Sequence, residues 1–238
     1  MPSEHLVSSP ESAPPISRWL GPKDRLQQLV DELRRRGFSV VGPAVAEEAI
    51  VYQEIDRVEQ LPRGWTDEQA PGSYRLRRTS DDRWFNFVVG PHSWKKFLYP
   101  PRLTLSTAAV TESGWRFGTL PDNPPRYAFL GVRACEIAAI RIQDRVLLQG
   151  PYIDPTYQRR RQDAFIVAVN CTLSGSNCFC ASMKSGPRCT TGFDLALTET
   201  TDGFVIEIGS ELGRDVLDAC ETRSATDDEL QAAAAARQ

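Results

Sequence analysis

Three of the chain's six cysteines, Cys171, Cys178 and Cys180, lie within the stretch NCTLSGSNCFCASM at residues 170–183. Thiols packed that densely hold a metal or an iron–sulfur cluster, close a disulfide, or supply a nucleophile. A nucleophilic cysteine needs a base beside it. The chain has two histidines, His5 in a Ser-, Pro- and Glu-rich start and His92 in GPHSW, ahead of a short helical segment. No G-x-S-x-G, Walker or G-x-G-x-x-G pattern occurs, so no catalytic residue is assigned. The start, MPSEHLVSSPESAPPIS, lacks the basic residues and apolar run of a secretory signal. The expected compartment is then a reducing cytoplasm, where structural disulfides are rare. Metal or cluster ligation remains, with plain buried thiols as the bland alternative.

A cluster or a zinc ion takes four thiolates, and two sets of four are available. Cys171, Cys178, Cys180 and Cys189 form C-x6-C-x-C-x8-C, all on one loop. Cys135 stands in for Cys189 if the fold brings it to the same place. Spacing alone leaves that choice open. Neither set matches the ferredoxin run C-x2-C-x2-C-x3-C-P or the paired C-x2-C of zinc ribbons. Cys220 falls on an amphipathic helical segment and reads as a buried or half-buried thiol.

The elements around these residues decide whether Cys135 can reach. YAFLGV, from Tyr127, is a short, almost wholly apolar strand, and AFIVAVN, from Ala164, is a second. Strands of that kind are buried on both faces of a parallel sheet. Between them RACEIAAIRIQDRVLL reads as a helix with Ile137, Ile140 and Leu147 among its buried positions. Asp154–Pro155 opens another helix, with Asp as cap and Pro at the first position. Residues 126–170 therefore predict a β–α–β unit. In open α/β sheets, sites form beyond the carboxyl ends of the strands. Cys135 follows the first strand and Cys171 the second, so adjacent strands bring both to one edge. A helix N-terminus at Cys135 also favours a thiolate or an anionic cluster.

Elsewhere, Leu26, Leu29, Val30 and Leu33 make one helical stripe that stops at Gly37. FSVVGPAV, AIVYQEI, GSYRLRRT and WFNFVV read as strands or extended pieces. GFDLALTET and GFVIEIG read as two more, joined by a turn, and SELGRDVLDAC as a helix capped by Ser210. The fold class is α/β, with α+β as the alternative: a mixed sheet around the β–α–β unit, flanking helices and a smaller N-terminal lobe. The expected divisions are a disordered tail at 1–17, an N-terminal α+β lobe at 18–125, a β–α–β cluster-binding lobe at 126–220, and a polar helical or linker tail at 221–238. A net charge of −3, with 41% hydrophobic and 25% charged residues, gives no reason to expect nucleic acid. The longest apolar runs are far short of the ~20 residues of a membrane span.

GPHSWKKFLYPP, FLGVRACEIAAI, DPTYQRRR, VNC…CFCASM and GFDLALTE, spread over residues 85–213 in that order, resemble a known family. It is the iron–sulfur β subunit of soluble, NAD(P)-linked hydrogenases (sulfhydrogenases), together with the matching iron–sulfur component of anaerobic sulfite reductase. The resemblance implies an electron-transfer subunit that relays electrons between a flavin subunit using NAD(P)H and a hydrogenase- or reductase-type catalytic subunit. It maps the cluster ligands onto Cys135, Cys171, Cys178 and Cys180, with Cys189 as the alternative. The implied cofactor is one [4Fe–4S] cluster per chain, the alternatives being [2Fe–2S] or zinc. A structural or adaptor protein with a four-cysteine zinc site is the competing function. Family members continue into a ferredoxin-like domain with two four-cysteine motifs, and no such motif occurs here. The expectation is a relay completed by another subunit, with Lys95 and Lys96 in GPHSWKKFLYPP as a docking segment.

Overall fold

The computed structural model describes residues 17–88, 90, 92–119 and 123–236, so the expected tail, apart from Ser17, lies outside the described residues. The chain begins with β1 (Ser17–Leu20) and α1 (Leu26–Arg35), then β2 (Phe38–Ala46) and β3 (Ala49–Glu54). Two small hairpins follow, β4 (Trp65–Ala70) with β5 (Ser73–Arg78), and, after the short helix α2 (Lys95–Leu98), β6 (Ser106–Thr111) with β7 (Gly114–Thr119). The expected β–α–β unit is β8 (Arg126–Val132), α3 (Ala134–Leu148), α4 (Pro155–Gln162) and β9 (Phe165–Val169). Beyond it come β10 (Leu195–Glu199), β11 (Phe204–Ile208), α5 (Glu211–Asp218), β12 (Arg223–Ser224) and α6 (Asp227–Ala235).

Among the described residues, eight strands form one mixed sheet in the order β12-β1-β11-β10-β9-β8-β2-β3. The four neighbours β10, β9, β8 and β2 run parallel, so their carboxyl ends share one edge. Helices cover both faces, which is why the apolar runs need no polar alternation. Val167 and Val169 pack with Leu29 and Leu33 of α1 and Val216 and Leu217 of α5. Ile166 and Ala168 pack with Ile137 and Ile140 of α3 and Tyr157 of α4. Each valine, leucine or isoleucine among them contributes ~1.5–3 kcal/mol by leaving water. The caps fall where expected: Asp154 accepts from the Thr156 and Tyr157 amides, and Ser210 from the Gly213 amide. Leu147 is only partly buried, because it lies in the last turn of α3.

The piece WFNFVV is not a strand. Its amides bond to side chains instead of a ladder: Glu199 takes those of Trp84 and Phe85, and Asp67 takes that of Val88. Its carbonyls at Phe85 and Phe87 accept from Arg133. The segment is thereby held across the carboxyl edge of the sheet. A second irregularity lies in β8, where the register shifts between Leu130 and Val132. Gly131, at φ +100°, makes this bulge, and a bulge re-aims the residues after it. Val132 joins Phe129 on the α3 face, and Arg133 turns towards Phe85 and Phe87.

On α1, Glu32 is gripped by Arg35 at 2.7 Å and Arg36 at 2.6 Å, and Arg36 also donates to the Asp215 carbonyl of α5. The hydrogen bond from Arg35, with Arg36 behind it, holds the Glu32 carboxyl at about 2, against an ordinary 4.5. A depressed carboxylate stabilises the fold fully above its unfolded pKa and loses that contribution as pH falls through the folded one. Glu32→Gln is expected to cost up to about 1 kcal/mol at pH 7. It should also flatten the stability curve between pH 4.5 and about 2, as read by urea unfolding across that window.

Candidate metal centre

Cys135 is the second residue of α3. The first turn is fixed by Glu136, whose carboxylate accepts the Arg133 amide at 2.9 Å and the Tyr52 hydroxyl at 2.7 Å. Tyr52 in turn stacks on Trp94, centroids 3.8 Å apart, which anchors the start of α2, whose Lys95 and Lys96 are exposed. Cys171 leaves β9 two residues beyond its end, its amide donating to the Pro187 carbonyl at 3.3 Å. Between them Asn170, wholly buried, donates to Thr198 Oγ1 and accepts from the Cys189 amide, both at 2.8 Å. One side chain thus ties the ends of β9 and β10 to the far side of the cysteine loop.

The loop itself turns tightly. Cys178 Sγ accepts from the Gly175 amide at 3.3 Å, and the Cys180 carbonyl accepts from the Ser185 amide at 2.9 Å. Gly186 passes so close to Cys180 that a Cβ there would stand 3.3 Å from its sulfur. Cys178 is exposed, Cys135, Cys171 and Cys180 are half-buried, and Cys189 and Cys220 are buried. All six are free.

The thiols feel one another. Burial raises Cys135 to about 12, with Glu136, Cys171 and Cys180 adding to it. Burial also raises Cys171; Arg133 pulls it down, and Cys180 and Cys178 push it up. Burial thus opposes the thiolate that a helix N-terminus favours at Cys135. The edge therefore brings Cys135, Cys171, Cys178 and Cys180 into one electrostatic neighbourhood. It also brings Cys189 beneath them: burial holds that thiol at about 12, with Cys171 adding to it and Arg133 opposing. Cys220 is elsewhere, in the core on the α1 and α5 face, donating to the Val216 carbonyl. His92 lies ahead of α2, and His5 lies outside the described residues.

Among the described residues, no three His, Cys, Asp or Glu side chains converge closely enough to hold one metal ion. A zinc ion would draw each sulfur to ~2.3 Å from a single centre. A cluster is held by thiolates on separate irons, which keeps the sulfurs apart. The donor set fits a cluster: sulfur ligands around a common edge, a glycine where any side chain would crowd Cys180, and a buried Arg133 Nε–H with no partner. Arg133, Glu136, Tyr52 and Asn170 were not singled out from sequence. The one local signal was a charged pair, Arg133 and Glu136, set between an apolar strand and an apolar helix.

Two large apolar side chains of the cysteine loop stand in solvent. Phe179 is 70% and Met183 64% exposed. Beside the loop a cavity of about 770 Å³ opens between the β4–β5 hairpin, at Gln69, Ser73 and Arg75, and residues Leu173 to Ser176. No helix among the described residues is long and apolar enough to cross a membrane.

No family model matches the chain, and no solved structure matches it. A curated protein does: Sulfhydrogenase 2 subunit beta of Pyrococcus furiosus is 36% identical over 176 residues, which is 74% of this chain and 44% of that relative. The chain thus spans less than half the length of the relative it matches.

Proposed function

The chain belongs to the sulfhydrogenase β-subunit family over the region it shares with that relative, and we propose from this that it is an electron-transfer subunit of a hydrogenase-type oxidoreductase. It holds one [4Fe–4S] cluster on Cys135, Cys171, Cys178 and Cys180. When bound, the cluster supplies one-electron transfer without proton or group chemistry. The chain's own residues do the placing. Asn170 fixes the start of the loop, Glu136 fixes the first turn of α3, and the tight turns at Gly175 and Gly186 aim Cys178 and Cys180. The observation that carries the proposal is the meeting of these thiols, from distant chain positions, on one sheet edge.

The electrons come from a flavin subunit that oxidises NAD(P)H and go to a hydrogenase- or sulfite-reductase-type catalytic subunit. The partner covers the cysteine edge, where Phe179 and Met183 are exposed, and Lys95 and Lys96 are its docking residues. Such a complex works in the reducing cytoplasm, where its thiols stay free to bind iron.

The test is metal analysis of anaerobically purified protein. About four irons and four sulfides per chain, with brown colour, are expected for a [4Fe–4S] cluster. Stoichiometric zinc in a colourless protein would replace this reading with that of a structural zinc site.

A further inference from the structure

Arg133 is a full positive charge at 2% exposure. The bulge at Gly131 carries its side chain back under the carboxyl edge, where its guanidinium lies over the Phe87 ring, 5.1 Å from the centroid. Its Nη2 donates to the carbonyls of Phe85 at 2.6 Å and Phe87 at 3.1 Å, and its Nη1 to that of Asn170 at 3.4 Å. These acceptors are dipoles and carry no net charge. The capping carboxylate of Glu136 is engaged elsewhere, one oxygen on the Arg133 amide and the other on Tyr52. The Nε–H is buried with no partner. A buried cation served only by carbonyls is costly unless an anion lies nearby. Glu136 and Tyr52 feel its charge, and its reach to the Asn170 carbonyl, next to Cys171, sets it beside the thiol-bearing edge as well.

We propose that Arg133 is the counter-ion of the cluster and sets its redox potential. This rests on the cluster reading above. A cluster ligated by four thiolates is anionic, and reduction adds one electron with no bond formed or broken and no proton moved. The added negative charge is stabilised by a fixed cation close by, in a region of low dielectric. Arg133 therefore favours the reduced state and raises the potential.

The test titrates the iron-loaded wild-type chain, Arg133→Met and Arg133→Lys anaerobically with dithionite, following visible bleaching and electron spin resonance. At a fixed potential, the reduced-to-oxidised ratio of the Met variant is expected to fall at least about tenfold, a drop of about 59 mV for one electron. The Lys variant keeps the charge while losing the fork to Phe85 and Phe87, so its ratio stays within about threefold of wild type. A Met variant with full iron and an unchanged potential overturns the proposal. Where the Met variant does not fold, Arg133→Gln takes its place: a tenfold fall in the ratio supports the role of the charge, and an unchanged potential overturns it. A wild-type chain that takes up no iron sinks the cluster reading and this inference together. An unchanged Met variant beside a loaded wild type sinks this one alone.

Discussion

Anaerobically purified Cys171→Ser, Cys178→Ser and Cys180→Ser chains are expected to lose nearly all iron and visible absorption, while Cys220→Ser keeps both. The first three residues share one loop around one edge, and a cluster that loses a thiolate loses the folding energy of that loop with it. Cys220 packs on the opposite face of the sheet, against the α1 and α5 side of the core. The decisive pair is Cys135→Ala against Cys189→Ala, where alanine avoids burying a hydroxyl. Cys135 is half-buried at the edge, next to Cys171 and Cys180. Cys189 is 2% exposed and sits in the apolar core of the α3 face. The Cys135 variant should lose the iron and the Cys189 variant should hold it. Iron and sulfide counts that show the reverse would move the fourth ligand to Cys189.

Asn170→Ala is expected to cost the metal-free chain about 1–3 kcal/mol, the cost of one buried polar group left unsatisfied. The Cys189 amide loses its partner, and the Thr198 hydroxyl loses one of its bonds. Asn170 is completely buried, so water does not replace it without opening the edge. Because the side chain joins the loop to β10, the variant should also load less iron. Urea midpoints of the metal-free wild type and variant measure the first effect. A shift under about 0.5 kcal/mol, within the range of an ordinary surface substitution, would mean the bridge carries no weight.

What could be read from the amino acids was the local physics. The two runs YAFLGV and FIVAV announced doubly covered strands, and Asp154 and Ser210 announced helix starts. The convergence of Cys135 with Cys171 followed from strand adjacency alone. What could not be read depends on partners distant in the chain. WFNFVV has the composition of a strand, yet the carboxylates of Glu199 and Asp67 and the guanidinium of Arg133 took its hydrogen bonds. SRWL carries no alternation, and it became a strand only because β11 and β12 offered it edges. Gly131 carried a signal, since a glycine inside a strand often marks a bulge, but the register it imposes depends on β9, far along the chain. The same shift buried Arg133.

The place of β1 has a consequence for how the molecule is made. Its partners are Phe204 to Glu207 and Arg223 to Ser224, so β1 pairs only with segments far later in the chain. Pairing between such distant segments is slow, and an unpaired edge is open to wrong partners meanwhile. The inner strands β2, β8, β9 and β10 pair with partners closer in the chain, so the thiol-bearing rim rests on shorter-range contacts than the β1 side of the sheet does.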